Sequence, residues 1–213
     1  TVAAAKDITI AGAISNTTNG NSLTLKASRD ILVSAAIAGA TDKSLATYFY
    51  SDVDNTGGGG FKSTVSTATI NTFGGNITIR GGTADATANC GTTYSCTAGY
   101  ASDGGILADR IAVLIYAPLN AAGGNISIYG RGNSTASTYG VGIWMDFTGT
   151  VLSTTGTGTI TLNGVSTGAN HGIYHLKGDV NAGTGLISIT ATAGDASAFT
   201  GYTMVAGSIS SSG

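Results

Sequence analysis

The chain has 213 residues and a formal net charge of −2, and only 9% of its residues are charged, against about 25% in ordinary soluble domains. Its nine Lys and Arg residues are scattered singly, which argues against the basic stripe that binds nucleic acid. No apolar run of about 18 residues is present, so the sequence contains no candidate membrane-spanning helix.

The composition favours β-structure. The chain contains 34 Gly and one Pro, its acidic residues are all Asp, and Glu and Gln are absent. Glu, Gln, Lys and Leu are the usual residues of surface helices, whereas Thr, Ile, Val and Tyr suit a pleated, half-buried surface. We therefore expect an all-β chain with almost no helix.

A repeat is visible from the N-terminus. "KDITIAGAI" (6–14) matches "RDILVSAAI" (29–37), with Ile8 over Ile31 and Ile14 over Ile37, an offset of 23 residues. Within each phrase apolar and polar residues alternate, which is the period of a strand with one buried face. Each phrase is therefore predicted to supply strands to one coil of a repeating structure.

The segment 42–64 breaks this regularity and is predicted to be a hairpin or loop that leaves the coil. It carries the aromatic cluster Tyr48, Phe49 and Tyr50. Such a cluster either stacks on a ligand or partner or covers an apolar core. We take these three residues as the candidate partner-binding loop.

Two metal-like or nucleotide-like motifs in this segment are incomplete. Asp52 and Asp54 have the spacing of a calcium loop, but Ser63 stands where the bidentate Glu is needed. In "TGGGGFKST" (56–64), Phe61 separates the last Gly from Lys62, as a phosphate loop does not allow. We predict a solvated turn and a flexible loop, with no metal or cofactor.

Farther along, an aliphatic residue, a Gly-rich gap and a second aliphatic residue recur. The spacing of seven joins Ile70 to Ile77, Leu119 to Ile126 and Val180 to Ile187, and one extra residue separates Leu152 from Ile160. Glycine supplies the positive φ that a tight corner needs. "ATINTFGGNITI" (68–79) and "APLNAAGGNISI" (117–128) are 49 residues apart, which we interpret as two coils plus a few residues.

The segment 81–105 is the second predicted protruding loop, and it contains the two cysteines, Cys90 and Cys96. A disulfide between them would contribute about 2 kcal/mol in the loop-entropy model and would imply an oxidising, extracellular compartment. Two free thiols and half of a metal site are the alternatives, although no nearby His or second Cys pair completes a zinc site. We predict the disulfide.

The remaining candidates for chemistry are dispersed. His171 and His175 lie four positions apart, about 13 Å on a strand, so we expect two surface imidazoles and no shared metal.

Sugar hydrolysis needs two carboxyl groups about 5–10 Å apart, and the charged candidates for such a cleft are Asp103, Asp109, Arg110, Asp146 and Asp179. Thr-x-Thr occurs at 159–161 and 190–192, but other strands invert the order, so a regular ice-binding ladder is not expected. We assign no catalytic residue and predict that the chain is not an enzyme.

Short strands, Gly corners and a coil of about 23 residues describe a β-solenoid, in which stacked coils share one continuous core. We predict a single domain over residues 1–213 with about seven to nine coils of parallel strands, which pair about 4.8 Å apart. The two irregular segments are its side loops.

Three stretches carry a family resemblance: "GNSLTLKASRDILVSAAI" (20–37), "GTGTITLNG" (156–164) and "GIYHLKGDVNAGTGLISITATA" (172–193). They resemble the shaft repeats of filamentous haemagglutinin-like adhesins, the secreted β-helical exoproteins of bacteria. The resemblance implies a right-handed parallel β-helix, export across the outer membrane and attachment to surfaces. The Asn-Pro motifs of the family's secretion domain are absent, so the chain corresponds to shaft, and no catalytic residue carries over.

We therefore expect a secreted, cell-surface structural and adhesive fibre whose partners are host or surface glycans. "VAAAKDITI" starts and "GSISSSG" stops inside the repeat pattern. We expect either a piece of a longer shaft or copies that stack end to end. The alternatives are a β-helix enzyme acting on polysaccharide and an ice-binding solenoid.

Overall fold

The computed structural model describes residues 1–54, 59–81, 111–132, 140–166, 170–194 and 199–212. These residues form strands, turns and extended connections, and every pairing between the named strands is parallel. The strands are β1 (Val2–Ala4), β2 (Ile8–Ile10), β3 (Ile14–Asn16), β4 (Asn21–Ala27), β5 (Ile31–Val33), β6 (Ile37–Gly39), β7 (Leu45–Ser51), β8 (Phe61–Ser63), β9 (Ile70–Asn71), β10 (Ile77–Gly81), β11 (Val113–Ile115), β12 (Leu119–Asn120), β13 (Ile126–Gly132), β14 (Ile143–Ser153), β15 (Ile160–Ser166), β16 (Ile173–Asn181), β17 (Ile187–Thr192), β18 (Tyr202–Met204) and β19 (Ser208–Ser210). The predicted all-β class is confirmed.

The strands lie in three rows, and the chain visits the rows in the same order each time. The first row is a separate sheet, β1-β4-β7-β10-β13-β15-β17. The second row is β2, β5, β8, β11, the starts of β14 and β16, and β18; the third is β3, β6, β9, β12, the ends of β14 and β16, and β19. The long strands β14 and β16 join the second and third rows into one sheet. We call each set of one strand from every row a trio, numbered one to seven from the N-terminus.

The register explains the repeated phrases. Ile8 pairs with Ile31 and Ile14 with Ile37, so the offset of 23 is confirmed as the distance between neighbouring trios. Ile77 pairs directly with Ile126, so the interpretation of the offset of 49 as two coils is wrong. Those positions lie in adjacent trios, and the additional residues fall between β10 and β11.

The core consists of aliphatic columns that run across the trios. Leu25, Phe49, Ile79, Ile128 and Leu162 stand in register in the first row, and each is at most 1% exposed. The alternation of inward and outward side chains along a strand places one such residue per strand in each column. Full burial of an apolar side chain contributes about 1.5–3 kcal/mol. The columns are therefore a main source of stability in a chain that has few charged residues.

The corner from the third row to the first is a repeated tight turn. In the fourth such corner, Asn120 accepts a hydrogen bond from the Ala122 N–H (2.9 Å), and the Gly124 N–H donates to the Ala121 carbonyl (3.1 Å). Ala122 (φ 46) and Gly123 (φ 110) both occupy the left-handed region, where an Asn side chain two residues earlier can hold the backbone. The predicted glycine corners are thereby confirmed.

Gly75, Gly124, Gly158 and Gly185 form what we call the glycine column. A Cβ atom on any of them would lie inside 3.0 Å of another atom, and for Gly124 and Gly185 that atom is the carbonyl oxygen of the preceding glycine of the column. The column therefore allows successive turns to stack at the strand spacing, which a larger residue would prevent.

The connections differ in length according to the corner. Between the third and first rows they are similar: 17–20, 40–44, 72–76, 121–125, 154–159 and 182–186. Between the first and second rows they range from 5–7 and 28–30 to 52–60 and 82–112. Most of the variation in repeat length that obscured the register thus lies at the corner between the first and second rows.

The predicted loop 42–64 is wrong over most of its length. Leu45–Ser51 is β7, which pairs with β4 and β10, and Phe61–Ser63 is β8. The alternation of "LATYFYS" fits a strand, and only residues 52–60 connect the two elements. Nearly all of the other predicted loop, 81–105, lies outside the described residues, as do Cys90 and Cys96.

Candidate functional site

The aromatic cluster Tyr48, Phe49 and Tyr50 lies in a strand and not in a loop. Phe49 is fully buried in the first-row core, with its ring centroid 5.1 Å from that of Phe61. Tyr48 and Tyr50 point to the opposite face, where their rings stack at 6.3 Å and the Arg80 guanidinium lies over Tyr50 at 5.0 Å. Phe49 therefore serves the core, and only Tyr48 retains the half-exposed ring that a partner could contact.

His175 is not a surface imidazole, so that prediction is wrong. It occupies a core position of the second row and has no exposed surface, in register with Met145 before it and Met204 after it. Its Nε2 lies 2.7 Å from the Gly178 carbonyl oxygen and its Nδ1 lies 2.8 Å from the Tyr202 hydroxyl. The carbonyl can only accept, so Nε2 carries the proton, and the neutral ring accepts from Tyr202.

His171 lies on the outside, as predicted, and is half-buried. Its Nδ1 is 3.0 Å from the Thr203 hydroxyl, and its ring stacks on Tyr174 with centroids 5.2 Å apart. One histidine thus faces outward and the other inward. Among the described residues, no group of three or more His, Cys, Asp or Glu is arranged to hold a metal ion.

The buried imidazole predicts a stability change in mild acid. Burial lowers the pKa of His175 below its ordinary value of 6.5, although the Gly178 carbonyl and the charge of Asp179 act in the opposite direction. As pH falls below 6.5 the unfolded chain takes up a proton before the folded chain does, so the free energy of unfolding decreases through this window. The contribution of His175 to the free energy of unfolding is highest above pH 6.5. It stops decreasing once the pH is below the pKa of His175 in the folded state.

We expect His175→Met, which copies the register neighbour Met145, to flatten this dependence, while His171→Asn keeps it. The measurement is the urea midpoint from about pH 7.5 to about pH 5.5, above the range where carboxylates dominate. The chain has two histidines. If the urea midpoint of His175→Met still depends on pH as in the parent chain while that of His171→Asn no longer does, the effect belongs to His171 and the prediction is wrong.

The acidic candidates for sugar cleavage are only partly described. Asp103, Asp109 and Arg110 lie outside the described residues. Asp146 forms an ion pair with Lys177 (2.9 Å), and Asp179 accepts a hydrogen bond from the Ser208 hydroxyl (2.7 Å). Each of these two carboxylates therefore has a structural partner on a neighbouring strand.

The remaining motifs are placed as follows. In the candidate calcium loop, Asp52 is fully buried with φ 51, while Asp54 is exposed. In the first-row sheet Thr161 pairs with Ser188, and Thr190 pairs with Asn163. The two Thr-x-Thr segments are therefore out of register with each other and do not form a ladder between β15 and β17.

Both ends of the described stack expose apolar residues. At the C-terminal end, Leu186 is 70% exposed, Val205 58%, Met204 47% and Ile209 38%, and at the N-terminal end Val2 is 51% exposed. The end strands β1, β2, β3, β17, β18 and β19 each pair on one side only within the described residues. Such edges present unpaired backbone groups to a further strand.

A second aromatic surface escaped the sequence reasoning. The outward side of the second row carries Leu114, Trp144 and Tyr174 in register, and Trp144 meets Tyr174 edge-on at 4.9 Å. Tyr116 packs beside them where the chain leaves β11. The alternation of side chains in "GIWMD" and "GIYHL" places Trp144 and Tyr174 on the outward faces of their strands. That the two rings are neighbours follows only from the pairing of β14 with β16.

The described residues contain no helix with the length and apolar character needed to cross a membrane. No protein-family model matches the chain, and neither a search of curated proteins nor a search of solved structures gave a match.

Proposed function

We propose that this chain is a right-handed β-solenoid of seven coils that serves as a structural and adhesive unit of an extracellular bacterial fibre. Each trio of strands would form one coil, and the stack would continue at its ends with more of the same structure. The resemblance of 20–37, 156–164 and 172–193 to the shafts of filamentous haemagglutinin-like adhesins favours this interpretation.

The observation that carries the proposal is the composition of the core columns at the two ends. One column begins at Val2 and reaches Ile189, and another begins at Ile8 and reaches Tyr202. A third runs from Ile14 to Ile209. If the last trio is followed in register by a first trio, each of these three columns continues with an apolar residue. The same register would pair the strand edges and cover exposed apolar surface.

The proposed function is mechanical. Parallel backbone ladders across all trios resist bending, and the stacked turns of the glycine column keep one corner compact. Polar side chains at that corner also bond from trio to trio: Asn76 accepts from the Asn125 N–H (2.9 Å), and Asn125 accepts from the Thr159 N–H (2.9 Å). Such a shaft needs few charged residues, in agreement with the composition.

An extracellular location fits the predicted Cys90–Cys96 disulfide, since such bonds persist in oxidising compartments. Labelling of thiols before and after reduction would establish whether the two cysteines are bonded. Two reactive thiols in the native protein would remove this support.

The test of assembly is electron microscopy of the purified chain over a range of concentrations. We expect unbranched fibres whose axial repeat is about seven strand spacings, close to 34 Å. Ile209→Asp places a charge in a core column at the exposed end and should abolish fibres while leaving the monomer's fold intact, because Ile209 is already 38% exposed.

Ser210→Asp is the matched control, because Ser210 follows Ile209 on the same strand, is exposed, and has its side chain on the opposite face. It should assemble like the parent chain. Single rods at all concentrations would refute self-stacking and leave a continuing shaft as the form of the proposal. Fibres that persist unchanged in Ile209→Asp would refute the proposed register.

A further inference from the structure

An open cleft lies on the outer surface where the second row of strands turns into the third. Its volume is about 370 Å³, and it is lined by residues of four consecutive trios. The cleft arises from the lengths of three successive corners. Trios three and five have long corners (64–69 and 146–151), whereas trio four between them has the short corner 116–118. The two long corners form ridges about 10 Å apart, and Tyr116 lies in the gap.

Both ridges are held by bonds within the fold. The Thr64 hydroxyl lies 2.8 Å from the Ser34 hydroxyl of the trio below, and the Ala68 N–H donates to the Val65 carbonyl (3.0 Å) across the tip. In the other ridge, the register shifts around Asp146 make β14 bulge, and Phe147 packs partly against the main core. The cleft is therefore already formed without a ligand, as binding sites usually are.

The floor is equally fixed. The Tyr116 N–H donates to the hydroxyl of the buried Ser63 (2.7 Å), which holds the chain as it leaves β11. The Lys62 ammonium lies 5.7 Å from the centroid of the Tyr116 ring. At the far side, Asp146 and Lys177 form their ion pair at 2.9 Å with the carboxylate only about one-fifth exposed. An aromatic ring, a fixed carboxylate and an ammonium group thus line one cleft, together with the hydroxyls of the ridges.

From this arrangement we propose that the cleft binds an oligosaccharide, with one pyranose ring on Tyr116 and its hydroxyl groups on Asp146 and Lys177. A sugar ring has an apolar C–H face that packs on an aromatic ring. Two neighbouring sugar hydroxyls can also each donate a hydrogen bond to one oxygen of a carboxylate. A peptide added as a strand is disfavoured, because β11 and β14 already pair on both sides and expose no free edge at the cleft. The ligand must be recognised by side chains, and those present are of the kinds that bind sugars.

This inference deepens the adhesive part of the proposed function and rests on it for the identity of the surface that is bound. It does not depend on fibre formation, since the cleft spans trios three to six and no residue of an end trio lines it. Binding is therefore measured on the full-length Ile209→Asp chain as well as the parent. A chain that binds sugar but forms no fibre would fail only the assembly proposal.

The experiment is isothermal titration calorimetry with cellopentaose, maltopentaose and penta-galacturonic acid, which separate neutral from acidic sugars. We expect saturable binding of at least one of them. Tyr116→Ala should weaken it about tenfold or more, Tyr116→Phe should leave it within about threefold, and Asp146→Asn should weaken it about fivefold. Tyr129→Ala, which removes a half-buried outward ring of β13 on the first-row sheet, is the matched control and should bind normally.

Four results would overturn the proposal. The first is no binding of any of the three sugars at millimolar concentration. The second is binding that the control Tyr129→Ala, or Tyr48→Ala at the other aromatic candidate, abolishes and Tyr116→Ala does not. The third is equal loss in Tyr116→Phe and Tyr116→Ala, which would point to the hydroxyl and not the ring. The fourth is a mixed-sequence peptide that binds in place of the sugars with the same dependence on Tyr116, which would assign the cleft to a protein partner.

Discussion

Gly124→Ala is expected to destabilise the fold by about 3 kcal/mol or more, a large effect for the addition of one methyl group. The new Cβ would lie far inside 3.0 Å of the Gly75 carbonyl oxygen, and its other near neighbours are also backbone atoms of the turn below. No side chain can rotate away to make room. The turns would have to separate, which lengthens the hydrogen bonds of the neighbouring strands. The measurement is the free energy of unfolding from urea titration.

Two glycines serve as controls for this result. Gly12 has no atom within 4 Å of its added Cβ, so Gly12→Ala should change stability by less than about 0.5 kcal/mol. Gly123 has space but a φ of 110, so Gly123→Ala should cost only the conformational penalty of about 1–2 kcal/mol. If Gly124→Ala costs no more than Gly123→Ala, stacking of the glycine column does not limit the spacing of the trios.

Phe49→Ala should destabilise the chain by about 3–5 kcal/mol, the usual range for removing a buried aromatic ring. Phe49 fills its column between Leu25 and Ile79 and contacts Phe61, so the cavity would adjoin two trios and two rows. The neighbours are themselves held in register by backbone ladders and can collapse only slightly into the space. Thermal unfolding and urea titration would both report the loss.

Tyr48→Ala is the companion variant, because Tyr48 is the next residue and its ring lies on the outer face of the same strand. It should cost less than about 1 kcal/mol, since it leaves a half-exposed position. A loss of stability equal to that of Phe49→Ala would mean that the outer face of the first-row sheet is as closely packed as the core.

The register of the first two trios could be predicted from sequence because the connections there are short. Ile8 and Ile31 stand at the same point of two phrases of equal length, so a fixed offset identifies them as neighbours. The same reasoning failed for Ile77 and Ile126, since the offset of 49 was read as two coils although β10 and β13 pair directly. Sequence period measures chain length, whereas strand pairing depends only on which residues return to the same row.

The inward position of His175 was available from the sequence and was missed. Ile173 and His175 are two positions apart on a strand, so burial of the isoleucine places the imidazole on the same face. The expectation of a surface histidine relied on residue type and overlooked this alternation. The Tyr202 hydroxyl that bonds to the ring comes from the next trio, which no local pattern could reveal.

The cleft around Tyr116 could not have been predicted from its own segment. "IAVLIYAPLN" contains a single tyrosine after a strand, which gives no sign of a binding site. The depression exists only because the corners on either side of it are longer, and those belong to segments about 50 residues earlier and 30 later. Such a site is a property of the stacking order.

The uneven distribution of connection lengths gives this molecule the character of a display scaffold. Segments joining the first row to the second already range from residues 5–7 to residues 82–112 without altering the pairing of their neighbours, so a foreign epitope should be accepted there at little cost to the fold. The opposite corner, with its glycines in contact, offers no such freedom. An engineer wishing to present peptides along one side of a stiff support would graft between Asp54 and Gly59, keep the buried Asp52 and the closely packed Gly59, and leave 121–125 untouched.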